Sequence, residues 1–305
     1  MNETLVTVQD FRKVYGDIVA VDGISFQARR GEIFGLLGPN GAGKTSTLEC
    51  LEGLRRADGG RLDIMGVDPG RDTRKLQNLI GVQLQTSGLP ADMSVVEAMK
   101  FFCAYHGAAP RFDLLERLGL GEKLRSTYHE LSTGQQRRLA LALAVAHQPP
   151  IVILDEPTAG LDVASRVELH AVMQELRDSG SSILLATHDM AEAEKMTDRV
   201  AILLKGRIVA TGSPRELTAT GAGFTKVSVR SENAALSRNN VSFPAVGQHV
   251  FKDEYAIYFS TDPAPTVSAI LEYLAAHDDK LIDLRVERPS LEERFLEITH
   301  DGGAR

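Results

Sequence analysis

Short apolar runs, separated by glycine- and acid-marked turns, fill the first part of the chain and return in its middle. Leu5, Val6 and Val8 open a strand that Phe11 to Tyr15 carry to a turn at Gly16-Asp17. Residues 23–28 read as a second strand, 33–37 as a buried third, 61–65 as a fourth between glycines and 80–84 as a fifth ending at Gln85. Continuous apolar runs of this length suit strands covered on both faces. From Leu89 to His147 the period changes. Val95, Val96, Met99, Phe102 and Cys103 recur at helical spacing behind Ser94, a candidate N-cap, and residues 112–118 and 139–146 read as further helices. Alternation then resumes, with strands at 151–154, 182–186, 200–204 and 207–210 and helices over 163–178 and after Asp189. The pattern predicts a largely parallel sheet flanked by helices, with a helical insertion at about 89–147. In such sheets ligands bind at the carboxyl ends of the strands.

Beyond Leu217 the character shifts. Residues 218–223 are small and polar and read as a linker. Val227/Val229, Tyr255/Ile257/Phe259 and Ile282/Leu284/Val286 alternate like half-buried strands, Val267, Ile270, Leu271 and Leu274 mark a helix, and Ser290 with Glu293 forms a capping box for a last one. The division expected is 1–217 for the large domain and 218–305 for a small C-terminal α+β module. No internal repeat appears, so the chain carries one nucleotide-binding unit.

The chemistry concentrates at one stretch, Gly38-Pro39-Asn40-Gly41-Ala42-Gly43-Lys44-Thr45-Ser46. It follows a buried strand and opens a helix, which is where the phosphate-loop pattern has physical meaning. Glycines let the backbone curl around an anion, and the helix N-terminus adds N–H groups and a partial positive charge. Lys44 can reach the β- and γ-phosphates of a nucleotide, and Thr45 can offer its hydroxyl to Mg²⁺. Asp155 closes the run Ile151-Val152-Ile153-Leu154 as a strand-end magnesium ligand should, and Glu156 beside it can orient or deprotonate water. His188 follows another strand and can contact the γ-phosphate and fix that water. Gln85, at a third strand end, can sense Mg²⁺ while facing the helical insertion. Leu131-Ser132-Thr133-Gly134-Gln135 reads as a second phosphate-binding helix start. Its distance along the chain from Lys44 suggests that it serves a nucleotide held by another copy.

Composition narrows the partners. A net charge of −7 gives no electrostatic case for nucleic-acid binding. Only Cys50 and Cys103 occur, without metal-ligand spacing, so reduced thiols in a cytosolic protein are expected. No apolar run reaches the length of a membrane span, and the acidic N-terminus is unlike a signal peptide.

Taken together, these motifs resemble the ATP-binding subunit of an ABC transporter, a P-loop NTPase with a mixed sheet and a helical subdomain. The resemblance runs over about residues 3–217. It assigns Gln85 to the glutamine loop, residues 131–135 to the signature that binds ATP in trans, Asp162 to the aspartate loop and His188 to the switch histidine. It also assigns Tyr15 to adenine stacking. It implies an ATPase that uses ATP and Mg²⁺, a homodimer with two sandwiched ATP molecules, and a separate membrane-spanning permease on whose cytoplasmic face the subunit sits. The tail ending in Leu291-Glu292-Glu293-Arg294-Phe295-Leu296 resembles the daunorubicin-type multidrug exporter branch, implying export of a drug, antibiotic or lipid-like molecule. One departure is Thr133, which stands where the signature usually has the first of two glycines. The competing class, a soluble relative acting on ribosomes or DNA, usually shows two nucleotide units or a long coiled-coil insertion. A non-catalytic binding module is disfavoured by the presence of both Glu156 and His188.

Overall fold

A computed structural model describes residues 3–85, 88–219, 224–238 and 241–301. It falls into two compact units, Met1–Pro214 and Arg215–Arg305. In the first, β1 (Thr4–Tyr15), β2 (Ile18–Arg29) and β4 (Gly59–Ile64) form an antiparallel sheet in the order β2-β1-β4. Between them come β3 (Ile33–Leu37) and α1 (Lys44–Leu51), and after them α2 (Thr73–Leu79) and β5 (Ile80–Gln83). The helical insertion holds α3 (Val95–Tyr105), α4 (Phe112–Arg117) and α5 (Thr133–Val145). The chain continues through β6 (Ile151–Asp155), α6 (Val163–Asp178), β7 (Ser182–Thr187), α7 (Met190–Met196), β8 (Arg199–Leu204) and β9 (Arg207–Gly212), and α8 (Pro214–Ala219) leads out of the unit. The six-stranded sheet has the order β5-β6-β7-β3-β8-β9, parallel throughout except for the β8–β9 hairpin.

The alternation of β6 explains how this sheet is held. Ile151 and Ile153 join a core with Phe34, Leu48 and Leu51, whereas Val152 and Leu154 join a second core with Met99, Leu139 and Leu169. Successive side chains of a strand point to opposite faces, so a strand with both faces covered has no polar position. All four side chains are fully buried, and each such aliphatic contributes roughly 1.5–3 kcal/mol over exposure. At Gly81 the sheet and the insertion meet without a side chain between them: a Cβ there would lie 2.0 Å from the carbonyl oxygen of Ala144 in α5. Cys50 and Cys103 are free and buried, and burial pushes the Cys50 thiol up to about 11.

The second unit contains β10 (Thr225–Ser231), α9 (Ala235–Arg238), β11 (Val246–Lys252), β12 (Tyr255–Ser260), α10 (Pro263–Ala276), β13 (Leu281–Glu287) and α11 (Leu291–Asp301). Its antiparallel sheet runs β11-β12-β10-β13, and Val227, Val229, Tyr258, Ile270 and Leu274 form its core. The alternation in β12 has the opposite phase from the one expected. Ala256, Tyr258 and Ser260 are the buried set, while Tyr255, Ile257 and Phe259 are half-buried. Tyr258 carries the larger apolar load through its ring contacts with Phe243 and His249. In β13, Ile282 and Val286 are half exposed. The capping box before α11 is present, with Ser290 N–H donating to Glu293 Oε2 at 3.0 Å and Glu293 N–H to Ser290 Oγ at 3.2 Å. Of the expected linker, Thr218 and Ala219 close α8, and residues 220–223 lie outside the described residues. The edge strand β11 and the helix α2 have no counterpart in the sequence reading: Gln248, His249 and Lys252 break the apolar alternation of one, and the other buries Leu76 alone.

Candidate active site

Three neighbouring strands deliver the site. β6, β7 and β3 lie side by side, with Asp155 level with Ala186 and Leu37 level with Thr187. The loops leaving their carboxyl ends carry Asp155-Glu156, His188 and the stretch Gly38 to Ser46. Gly38, with φ 155°, passes so close to β8 that a Cβ would sit 2.3 Å from the Leu203 carbonyl oxygen. Gly43, with φ 106°, would place a Cβ 2.7 Å from the Ala20 carbonyl oxygen. Gly41, with φ 80°, has nothing within 4 Å of that position. The loop is therefore pinned at both ends by protein backbone and open at its middle. Gly43 is the N-cap of α1 and supplies no side-chain hydrogen bond, unlike Ser94, Ser132, Asp162 and Asp189 at their helices. The first N–H groups of α1 thus remain available to an anion.

Lys44 is 6% exposed and donates to the carbonyls of Gly38 at 2.7 Å and Pro39 at 3.4 Å. Its Nζ also stands 3.6 Å from Glu156 Oε1. The Thr45 hydroxyl donates to Asp155 Oδ2 at 2.9 Å. Asp155 Oδ1 is buried without a hydrogen-bond partner, and burial holds this carboxyl above the usual range, with the Thr45 hydroxyl opposing. An orphaned carboxylate oxygen beside a hydroxyl and a phosphate loop fits a hard divalent cation. Among the described residues no group of three His, Cys, Asp or Glu could hold a metal ion, so such a cation would draw its remaining ligands from neutral side-chain oxygens such as those of Thr45 and Gln85, from phosphate and from water. Gln85 is exposed and lines a cavity of about 210 Å³ with Thr45, Glu49, Glu52 and Asp155.

Glu156 is 6% exposed, and its backbone adopts φ 50°, in the left-handed region. Its N–H donates to the Ala186 carbonyl at 2.9 Å, which fixes the turn after β6. A non-glycine residue held there costs about 1–3 kcal/mol and persists only where its surroundings over-determine it. Its Oε2 is 2.8 Å from Nδ1 of His188, whose side chain is about half exposed. Tyr15 ends β1, and its ring lies under Lys13 Nζ at 5.2 Å and the Arg55 guanidinium at 5.3 Å. The hairpin that it tips returns through Ala20, the residue against which Gly43 packs.

Ser132 caps α5, accepting from the Gln135 N–H at 3.3 Å while its own N–H donates to Gln135 Oε1 at 2.9 Å. Ser132 and Thr133 are exposed, and a Cβ on Gly134 would make ordinary contact with Leu161 at 3.5 Å. Leu131 belongs to the core of the insertion and Ala42 to the opposite core, so the signature and the phosphate loop rest on different packing units. Asp162 caps α6; its carboxyl accepts from the Ser165 N–H at 2.9 Å and the Ser165 hydroxyl at 2.7 Å, which holds it below the usual range.

Three contributors escape the sequence reading. Arg137 of α5 donates to the Glu156 carbonyl and ties the signature helix to the acid. His170 of α6 and Glu192 of α7 form a buried pair at 3.0 Å behind the His188 loop. Both join residues far apart in the chain and leave no local pattern. Glu52, the third, was detectable as an acid in the apolar stretch Leu51-Glu52-Gly53-Leu54.

The ABC transporter family model matches residues 21–159. Two relatives match over nearly the whole chain. The daunorubicin resistance ATP-binding protein DrrA3 of Streptomyces coeruleorubidus is 33% identical over 99% of this chain and 98% of its own. The Nod factor export ATP-binding protein I of Ralstonia nicotianae is 34% identical over 97% and 94%. The chain belongs to the ABC transporter ATP-binding proteins. It is an ATPase of the exporter branch, and the linearmycin resistance ATP-binding protein LnrL of Bacillus subtilis is a further relative, 31% identical over 97% of this chain and 98% of its own. Among solved structures, the ATP-binding subunit of an ABC transporter superposes with a TM-score of 0.66 at 28% identity, covering 70% of this chain and 91% of that one. The protein cbiO1 of Clostridium perfringens, part of the transporter complex cbiONQ, gives 0.61 at 29% identity, covering 72% and 92%. Among the described residues no helix is long and apolar enough to cross a membrane.

Proposed function

We propose that this ATPase powers export of a small molecule, of drug, antibiotic or lipid-like class, through a separate membrane-spanning subunit on whose cytoplasmic face it docks. The observation that carries the reading is Glu156, buried between Lys44 and His188 at the ends of adjacent strands. Lys44 leaves its own loop's carbonyls to neutralise the β- and γ-phosphates of ATP. Thr45, Asp155 and Gln85 would hold Mg²⁺, which neutralises phosphate charge when bound. Glu156 accepts the proton of the attacking water, and His188 positions that water near the γ-phosphate. Tyr15 stacks on adenine. Ser132, Thr133, Gly134 and Gln135 of a second copy close on the same nucleotide from the other side, Asp162 lies beside them, and a homodimer results with two-fold symmetry. Gly134 leaves room before Leu161, and the exposed Thr133 adds a side chain at this surface. The names of the relatives support export, since they are resistance and export proteins.

The test is reconstitution of the chain with its membrane subunit in liposomes. ATP hydrolysis that depends on Mg²⁺, rises with the membrane subunit and disappears in Lys44→Ala is the expected result. Hydrolysis indifferent to the membrane subunit, with no association between the two, would remove the transport reading and leave the ATPase.

A further inference from the structure

Three side-chain contacts join α6 to α7 and its cap. Arg166, His170 and Gln174 follow one another at four-residue spacing, on one face of α6. They meet Asp189 at 3.9 Å, Glu192 at 3.0 Å and the Met196 sulfur at 4.0 Å, in the same order along the chain. The outer two contacts are weak, since the first is long and partly exposed and the last ends on a thioether. The middle one, between His170 Nε2 and Glu192 Oε1, is buried, with the two residues 6% and 4% exposed. Each partner keeps a second buried polar atom, Nδ1 of His170 and Oε2 of Glu192, without a hydrogen bond. An apolar pair would fill this space and leave nothing orphaned, so packing alone does not account for a histidine and a glutamate here. What the pair adds is direction, because a hydrogen bond between two side chains fixes one helix against the other both along its axis and in rotation.

Glu192 is also where α7 is tied to its cap. Its N–H donates to Asp189 Oδ1 at 2.9 Å, and the Asp189 N–H donates to Thr187 Oγ1 at 3.0 Å, so the backbone is held on either side of His188. The His188 side chain is about half exposed, with Nδ1 2.8 Å from Glu156 Oε2. Little packing steers a ring so exposed, and its place follows from where α7 starts. We propose that His170 and Glu192 are positioning residues for hydrolysis: their buried contact sets α7 against α6 and thereby holds the His188 ring at Glu156. The inference rests on the reading of Glu156 and His188 as the groups that handle the attacking water. Moving an oriented group by about 1 Å can cost on the order of 100-fold in rate. ATP itself is gripped by the phosphate loop and Tyr15, which stand on other elements. Loss of the pair should therefore show in kcat and not in ATP affinity.

The experiment compares the full chain with Glu192→Gln and with the apolar double variant His170→Phe, Glu192→Met. Turnover is expressed per site that binds an ATP analogue, which counts folded protein only. Glu192→Gln keeps an oxygen for His170 Nε2 and should turn over close to the parent rate. The double variant removes both polar groups and leaves neither without its partner. It should bind the analogue as the parent does, lose kcat about tenfold or more at unchanged KM, and accumulate as an ATP-bound dimer on size-exclusion chromatography. Parental kcat in the double variant overturns the proposal. So does a loss of analogue affinity that matches the loss of turnover, which would make the pair structural. Glu192→Gln as slow as the double variant overturns it too, since the contact survives there. Parental turnover in both Glu156→Gln and His188→Ala would instead remove the reading of the site, and the proposal with it.

Discussion

Glu156 meets two neighbours at once, one through each oxygen: Oε2 lies 2.8 Å from Nδ1 of His188, and Oε1 lies 3.6 Å from Nζ of Lys44. Replacing it with Gln keeps the shape and the possibility of both contacts but removes the basic oxygen. Glu156→Gln is therefore expected to bind ATP and to hydrolyse it about 10²–10⁴-fold more slowly, the usual worth of a positioned base. It should accumulate as an ATP-bound dimer on size-exclusion chromatography. Parental turnover in this variant would assign the base elsewhere.

The three loop glycines should not respond alike to alanine. Gly38→Ala and Gly43→Ala force a methyl against the carbonyl oxygens of Leu203 and Ala20. Both should lose nucleotide binding and lower the melting temperature. At Gly41 the space is open, and only the left-handed conformation is penalised, by about 1–2 kcal/mol. A chain of this size then melts a few degrees lower, on the order of 2–4 °C per kcal/mol. Thermal melts with and without an ATP analogue separate the cases, and equal effects at all three positions would contradict this account of the loop.

Stability should carry two opposed pH signatures. Burial, with Asp155 and Glu49 nearby, pushes Glu52 from 4.5 up to about 8. Its folded form holds a proton that the unfolded chain has lost, so this contribution is complete below about 4.5 and is lost as pH rises towards 8. Burial pushes His147 from 6.5 down to about 4. Its contribution is complete above about 6.5 and is lost as pH falls towards 4. The two slopes cancel between about 4.5 and 6.5, and the Glu52 slope stands alone from there to about 8. Denaturant melts of the parent and Glu52→Gln across this range should differ most at the alkaline end. A difference that does not change with pH would mean that Glu52 is ionised when folded.

Removal of the second unit should leave the chemistry in place. Every residue assigned to the site falls within Met1–Pro214, and the Arg215–Arg305 unit has its own core around Tyr258 and Ile270. Truncation after Ala219 is expected to retain ATPase activity within about tenfold, roughly 1.4 kcal/mol in the barrier. A truncated protein that is folded by circular dichroism but inactive would make the second unit part of the catalytic body.

How much of this was legible follows from range. Strands such as 151–154 announce themselves because burial on both faces leaves no polar residue to confuse the pattern. The phosphate loop, Asp155-Glu156 and Ser132 are local signals: a glycine cradle, an acid pair at a strand end, a helix cap. Arg137 and the His170–Glu192 pair are not local, since their partners are set by how α5, α6 and α7 pack. In β12 both faces carry large side chains, Tyr255, Ile257 and Phe259 on one and Tyr258 on the other. A two-residue period cannot say which set turns inward, and α10 with Phe243 decides it.

At Gly81 backbone presses on backbone, β5 against the Ala144 carbonyl of α5. Side-chain contacts can slide by changing rotamers, but this one has no rotamer to change. The distance between β5 and α5 is therefore set here by main chain, and any side chain at position 81 would push the two apart. Gln85, just beyond β5, and Ser132, at the N-cap of α5, are carried by the two elements that this contact holds together.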